Sequence, residues 1–175
     1  MNFVAFGSTL RVRRRLSSPG LDWSLVCDVD GVLTDGTFSY SENGKFTKTF
    51  GPHDSDALNL IKSKIAIIFI SADKRGFGIS QRRVQDMGFE LKLVASHDRK
   101  ELISTIQKER RVIFIGDSFT DEDALRAADL SFTPANAHSV AKKAATHILQ
   151  ANGGQGAVSE VCLLLSKYLI SGLHR

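Results

Sequence analysis

In the stretch SLVCDVDGVLTDG, residues 24–36, two carboxylates, Asp28 and Asp30, sit at i and i+2 where an apolar run ends. If that run is a strand, alternate side chains share a face, so the two would lean the same way and repel each other. A divalent cation makes such a pair favourable. Two carboxylates then divide the labour, one attacking and the other carrying protons.

Three further places supply partners. The run IAIIFI (65–70) ends at Ser71, ASHDRK ends in Lys100 at a helix-like start, and GDSFTD brings Asp117 and Asp121. Carboxylates, a hydroxyl and an ammonium are the makings of a Mg²⁺ and phosphate site, because Mg²⁺ takes hard oxygen ligands and bridges carboxylates to phosphate. Asp28 and Asp117 suit direct ligation, and a backbone carbonyl near Asp30 completes the protein's share. Asp121, one helical turn beyond Asp117, acts directly or through water. With charge neutralised by metal, Lys100 and Ser71, one carboxylate can attack a phosphoryl group. The other protonates the departing sugar oxygen and then activates water.

The elements that must position these residues follow a β-α alternation. Strands are expected at 24–28, 65–70, 91–94, 111–115, 130–133 and 146–149, and helices at 54–63, 77–87, 98–109, 120–128, 138–145 and 157–171. That rhythm predicts an α/β fold, a doubly wound parallel sheet with helices on both faces, whose ligands bind beyond the carboxyl ends of the strands. One segment breaks it. TFSYSENGKFTKTF (37–50) alternates polar and apolar residues around Asn43-Gly44, which predicts a β-hairpin.

In order and type, DVDGVLTDG, the strand-ending Ser, the helix-opening Lys and GDSFTD resemble the haloacid-dehalogenase superfamily of phosphohydrolases. The resemblance implies Asp28 as nucleophile, Asp30 as acid/base, Ser71 and Lys100 as phosphate-binding residues, and Asp117 and Asp121 as the acids of the distal metal motif. With the hairpin, ANAHSVAKKAATHI and GGQGAVSEVCLLL, residues 22–170 look like the 3-deoxy-manno-octulosonate 8-phosphate phosphatase family, which includes relatives acting on nine-carbon acid sugars. The family implies a homotetramer built partly through the hairpin, and a site closed by neighbouring C-terminal segments. It also implies a place in acid-sugar biosynthesis. Too few residues separate Asp28, Ser71 and Lys100 to fold a large cap domain.

Two departures fall in substrate-facing regions. Family members commonly carry Thr-Gly-Arg after the second core strand, whereas SADKRG puts Asp73 at the Arg position, followed by Lys74 and Arg75. The family's Arg-Asp-Gly after the hairpin becomes GPHDSDAL, with His53, Asp54 and Asp56. His53, Asp54, Asp73, Lys74 and Arg75 are therefore the candidate substrate-binding residues. A phosphorylated acid sugar of the octulosonate 8-phosphate or nonulosonate 9-phosphate type is the expected substrate.

The chain has 175 residues, 42% hydrophobic and 24% charged, which suits one globular domain over 21–175. The pI near 9.2 belongs to residues 1–20, which hold Arg11, Arg13, Arg14 and Arg15 and no acid. Without them basic and acidic residues balance, so no nucleic-acid partner is expected. The basic start reads as a solvated extension, with a targeting segment or phosphate-attracting arm as alternatives. IAIIFI is too short to span a bilayer, and Cys27 and Cys162 read as core residues, so a cytoplasmic protein is expected. His53, His97, His138 and His147 lack the spacing of a zinc site. A phospho-accepting receiver module would place its acceptor Asp on a middle strand, before the Ser/Thr and Lys, whereas here the acidic pair comes first and Asp30 supplies an acid/base. A catalytically idle assembly domain is opposed by the intact Asp28, Asp30, Lys100 and Asp117.

Overall fold

The strand β1 (Trp23–Asp28) is buried at every position and lies in the middle of a sheet of six parallel strands. The structure, a computed structural model, describes residues 12, 14–16 and 22–170. Around β1 run β4 (Ala66–Ser71), β5 (Leu91–Leu93), β6 (Arg111–Ile115), β7 (Leu130–Thr133) and β8 (His147–Ile148), in the order β5-β4-β1-β6-β7-β8. Both neighbours of β1 are parallel to it, with Cys27 opposite Phe69 on one side and Ile115 on the other. Parallel strands covered on both faces read as near-continuous apolar runs, which is why strict polar–apolar alternation is absent from WSLVC and RVIFI.

Alternate residues feed two cores. Leu25, Cys27, Ile113 and Ile115 point to one face, where they meet α1 (His53–Ile61), α2 (Phe77–Asp86) and α6 (Ala157–Leu165). Val26, Val112 and Phe114 point to the other, against α3 (Arg99–Ile106), α4 (Glu122–Ala127) and α5 (Ser139–Ala144). Helices thus flank both faces, as the alternation predicts. Cys27 and Cys162 are free and buried, and both thiols are pushed up by burial, Cys162 to about 12. In the last helix, Val158, Val161 and Leu165 are buried core residues. Among the described residues no helix is long and apolar enough to cross a membrane.

The expected basic extension needs amendment where the structure describes it: Val12 and Leu16 are helical and buried in the core. Arg11 and Arg13 lie outside the described residues.

The antiparallel hairpin β2 (Thr34–Ser41) and β3 (Gly44–Phe50) follows β1 directly. Its two-residue loop is Glu42-Asn43, one residue earlier than expected, with Gly44 opening β3 at φ 109°. Asp35 accepts from the Thr37 backbone N–H at 2.8 Å and the Thr37 hydroxyl at 2.7 Å, fixing the irregular stretch at Gly36 inside β2, where the register with β3 shifts between Thr34 and Phe38. The register slips between Ser39 and Tyr40: Ser39 faces Thr47, but Tyr40 faces Lys45, leaving Phe46 as an extra residue in β3. Such a bulge re-aims side chains, and it sends two lysines to one place.

Candidate active site

β1 stops at Asp28, so Asp30 belongs to a turn and the alternation argument does not extend to it. In that turn the backbone N–H groups of Val32, Leu33 and Thr34 all donate to the Val29 carbonyl, and Gly31 takes φ 84°. A side chain at Gly31 would run into the Asp117 carboxylate. The close approach therefore demands glycine.

The two acids are held by different cations. Asp28, 3% exposed, accepts from Arg99 through both oxygens, Nη2 to Oδ1 at 3.0 Å and Nη1 to Oδ2 at 2.9 Å. Its Oδ1 also accepts from the Val29 N–H at 2.9 Å. Asp30 accepts from the Ser71 hydroxyl on Oδ2 at 2.8 Å and pairs with Lys48 Nζ on Oδ1 at 2.6 Å. The repulsion anticipated between two like charges is thus divided between an arginine and a lysine.

The loop after β6 completes the acidic group. Asp121 Oδ2 accepts from the backbone N–H groups of Asp117 and Ser118, and its Oδ1 accepts from Arg99. Both Asp121 oxygens are engaged, so it orients Asp117 rather than pointing freely outward. Asp117 Oδ1 is buried and has no hydrogen-bond partner. Ligand atoms of Asp28, Asp117 and Asp121 lie within 4.8 Å of one another. Burial pushes the Asp28 carboxyl well up, Arg99 opposes this, and Asp121, Asp117 and Asp30 add to it. Asp117 is pushed up to about 7 by burial and then by Asp121. Buried carboxylates crowded around one guanidinium, with an orphaned oxygen among them, fit a hard divalent cation.

One expected residue is displaced by its neighbour. Lys100 has its side chain 60% exposed and reaches only toward Asp123 at 4.0 Å, while Arg99 is buried and grips Asp28 and Asp121. The signal was in the helix periodicity. Arg99, Leu102, Ile103 and Ile106 fall at i, i+3, i+4 and i+7, all buried or half-buried, whereas Lys100 lies off that face. Burial opposes the Arg99 charge, but Asp28 and Asp121 outweigh it and hold the guanidinium more firmly protonated than usual.

A cavity of about 410 Å³ opens at this edge, walled in part by Asp28, Asp30, Lys45, Asp73, Arg99 and Asp117. Of the five candidate substrate residues only Asp73 lines it. Asp54 is fully buried and accepts from the Ser159 N–H at the start of α6 at 2.8 Å, so it ties two helices together. His53 and Lys74 are exposed away from the lining, and Arg75 donates to the Tyr40 hydroxyl at 3.3 Å. Composition alone could not separate these, because all are polar residues in loops or at helix starts.

The hairpin supplies what sequence reasoning missed. Lys45 Nζ pairs with Asp73 at 2.6 Å and lies 3.8 Å from the Phe38 ring centre. Lys48, its side chain 0% exposed, pairs with Asp73 at 2.8 Å as well as with Asp30. Burial works against the Asp73 charge, but Lys45 and Lys48 hold its carboxyl below the usual range. Lys45 and Lys48 are three apart and would leave opposite faces of a regular strand. The bulge at Phe46 brings them together.

The Gly153-Gly154 loop braces this edge from behind. The Gly154 N–H donates to the Val32 carbonyl at 3.0 Å, and a side chain at Gly153 would meet the Gly31 backbone.

Residues 100–161 match the haloacid dehalogenase-like hydrolase family. The chain is 32% identical over 143 residues to the 3-deoxy-D-manno-octulosonate 8-phosphate phosphatase KdsC of Haemophilus influenzae, covering 78% of each. It is 33% identical over 150 residues to KdsC of Yersinia pestis, covering 81% of this chain and 78% of that one. Among solved structures, the cobalt-bound Haemophilus influenzae phosphatase superposes with TM-score 0.76 at 28% identity, covering 91% of this chain and 95% of that one. The Moraxella catarrhalis phosphatase, in complex with magnesium ion, phosphate ion and KDO, gives TM-score 0.79 at 25% identity, covering 92% and 93%.

Proposed function

Because the chain belongs to the 3-deoxy-D-manno-octulosonate 8-phosphate phosphatase family of haloacid dehalogenase-like hydrolases, we propose that it is a Mg²⁺-dependent phosphatase of a phosphorylated acid sugar, working through Asp28. The observation that carries this reading is the joining of Asp28, Asp117 and Asp121 within 4.8 Å, at the edge of a cavity that Asp30 and Arg99 also line.

Asp28 and Asp117 would hold the ion, and Asp121 keeps Asp117 in place through two backbone N–H groups. Bound there, Mg²⁺ supplies positive charge to the phosphoryl oxygens and offsets the crowded carboxylates. Arg99 takes the part first assigned to Lys100: a fixed guanidinium beside the attacking carboxylate, with a fork suited to phosphate as well as carboxylate. Asp28 attacks phosphorus and forms an aspartyl-phosphate while the sugar oxygen leaves. Asp30 gives that oxygen its proton and then takes one from the water that hydrolyses the intermediate. Ser71, now donating to Asp30, is positioned to turn its hydroxyl toward phosphate.

Stability reports the ion independently of turnover. A carboxyl raised from the usual 3.8 to about 7 keeps a proton in the folded state that the unfolded chain gives up. Asp117 therefore lowers stability progressively as pH rises from about 4 to about 7. A divalent ion that binds the ionised form removes this penalty. Mg²⁺ is expected to raise the melting temperature clearly at pH 8 and little at pH 5. Equal gains at the two pH values would contradict metal binding at Asp117.

For the substrate, octulosonate 8-phosphate is the first choice and nonulosonate 9-phosphates the second. The second is kept because Asp73, paired with Lys45 and Lys48, lines the cavity wall at the position where the family pattern places Arg, so the sugar contacts on this wall differ from that pattern. A phosphate-release screen across both classes and simple hexose phosphates tests this. A preference of roughly tenfold or more for an acid sugar is expected, about 1.4 kcal/mol of discrimination, and a preference for neutral hexose phosphates would overturn the acid-sugar reading. The expected homotetramer is supported by Phe38, Tyr40 and Phe46, more than half exposed on the hairpin, and light scattering on purified protein tests it.

A further inference from the structure

We propose that Lys48 of the hairpin is a positioning residue for the proton-transferring acid, fixing the Asp30 carboxylate so that Oδ2 alone is left to exchange a proton with the substrate. The proposal rests on the phosphatase reading above and assigns a task to a residue that reading leaves out.

Three acceptors surround the Lys48 ammonium: Asp30 Oδ1 at 2.6 Å, Asp73 Oδ2 at 2.8 Å and Ser80 Oγ at 2.8 Å. Its three protons are all used, and the side chain is 0% exposed. A buried ammonium with this many partners is not available to a ligand, and losing any partner would leave charge uncompensated. Its position is therefore set by the fold. Ser80 and Asp73 belong to α2 and the loop before it, and Asp73 Oδ1 in turn accepts from the Gly76 N–H at 3.1 Å.

The two Asp30 oxygens differ in consequence. Oδ1 faces an immovable donor, and a proton placed there would meet the ammonium. Oδ2 faces the Ser71 hydroxyl, which can rotate and serve as donor or acceptor. The Asp73 N–H donates to the same hydroxyl at 3.1 Å, so one network joins both sides of the carboxylate. Asp30 sits in a turn, with its side chain 33% exposed at the cavity. Without Lys48 nothing else described on the Oδ1 side would hold its torsion. The hairpin thereby contributes to proton transfer without touching the reacting atoms.

The test separates leaving groups. An alkoxide needs a proton as it departs, whereas p-nitrophenolate does not. In rapid-quench measurements of the first phosphoryl transfer, Lys48→Met is expected to slow transfer from octulosonate 8-phosphate about 100-fold, and from p-nitrophenyl phosphate less than about threefold. Asp30→Asn should show the same selectivity, and the double variant should lose little more than either alone. Equal losses on both esters, a change confined to KM, or unchanged rates would overturn the proposal. If Lys48→Met does not fold, Ser80→Ala decides. It removes one acceptor and keeps the charge, and a loss of about fivefold confined to the sugar ester is expected, with equal or absent losses counting against the proposal. A wild-type protein that releases phosphate from neither ester sinks the phosphatase reading itself, and this proposal with it.

Discussion

Asp28→Asn is expected to abolish phosphate release, with a loss of roughly 10⁴-fold or more. An amide oxygen is a poor nucleophile and its NH₂ would oppose Arg99, while the side chain remains almost the same size in a site only 3% exposed. The fold should survive, because β1 is held by its ladders to β4 and β6 and by the apolar residues on both its faces. Removing one of several crowded carboxylates even relieves repulsion. Circular dichroism and light scattering should therefore match wild type while steady-state release disappears. Activity retained within tenfold would exclude Asp28 as the attacking group.

The second large effect distinguishes two neighbouring cations. Arg99→Ala is expected to lower kcat about 10²- to 10³-fold, because a preorganised charge beside the developing phosphoryl charge is lost. It should also destabilise the Mg²⁺-free protein by about 3–5 kcal/mol, since Asp28 and Asp121 would keep their burial without a counter-ion. Mg²⁺ should restore part of that stability. Lys100→Ala should change kcat less than about twofold and stability by about 0–1 kcal/mol, as suits an exposed ion pair at 4.0 Å. The reverse pattern, with Lys100 critical and Arg99 dispensable, would contradict the geometry.

The sheet was legible because its residues obey one rule. WSLVC, AIIFI and RVIFI are buried or half-buried runs rather than alternating ones, and the site residues Asp28, Ser71 and Asp117 follow them within one or two residues. The order Asp, Ser, cation, Asp along the chain therefore became a cluster at the carboxyl edge once parallel crossovers were assumed. Asp28, Asp30, Ser71 and Asp117 fell where expected for that reason. The cation did not, because ASHDRK offers two adjacent candidates, and adjacent helical residues point about 100° apart. Only the apolar face shared with Ile103 distinguishes Arg99.

Lys45 and Lys48 were hidden by a different effect. In a regular strand they would point to opposite faces, and the extra residue that unites them is a matter of hairpin register. Asp54 was misjudged in the opposite sense. A polar residue next to the hairpin resembled a ligand contact, but it lies fully buried and receives the Ser159 N–H of the last helix. Substrate-facing positions were the least readable, since the charge of a loop residue does not say which other loop it meets.

The claim on which the rest depends is that Asp28 carries the phosphoryl group. Asp30→Asn protein mixed with Mg²⁺ and p-nitrophenyl phosphate, quenched in acid within one turnover and reduced with borohydride, tests it most directly. The nitrophenyl ester needs no acid to leave, while loss of the base at residue 30 lets the intermediate accumulate. The account predicts a nitrophenolate burst matched by reduction of residue 28 to homoserine, found by mass spectrometry in the peptide spanning 24–36. Turnover with no modification at residue 28, or with the label on another residue, would contradict it.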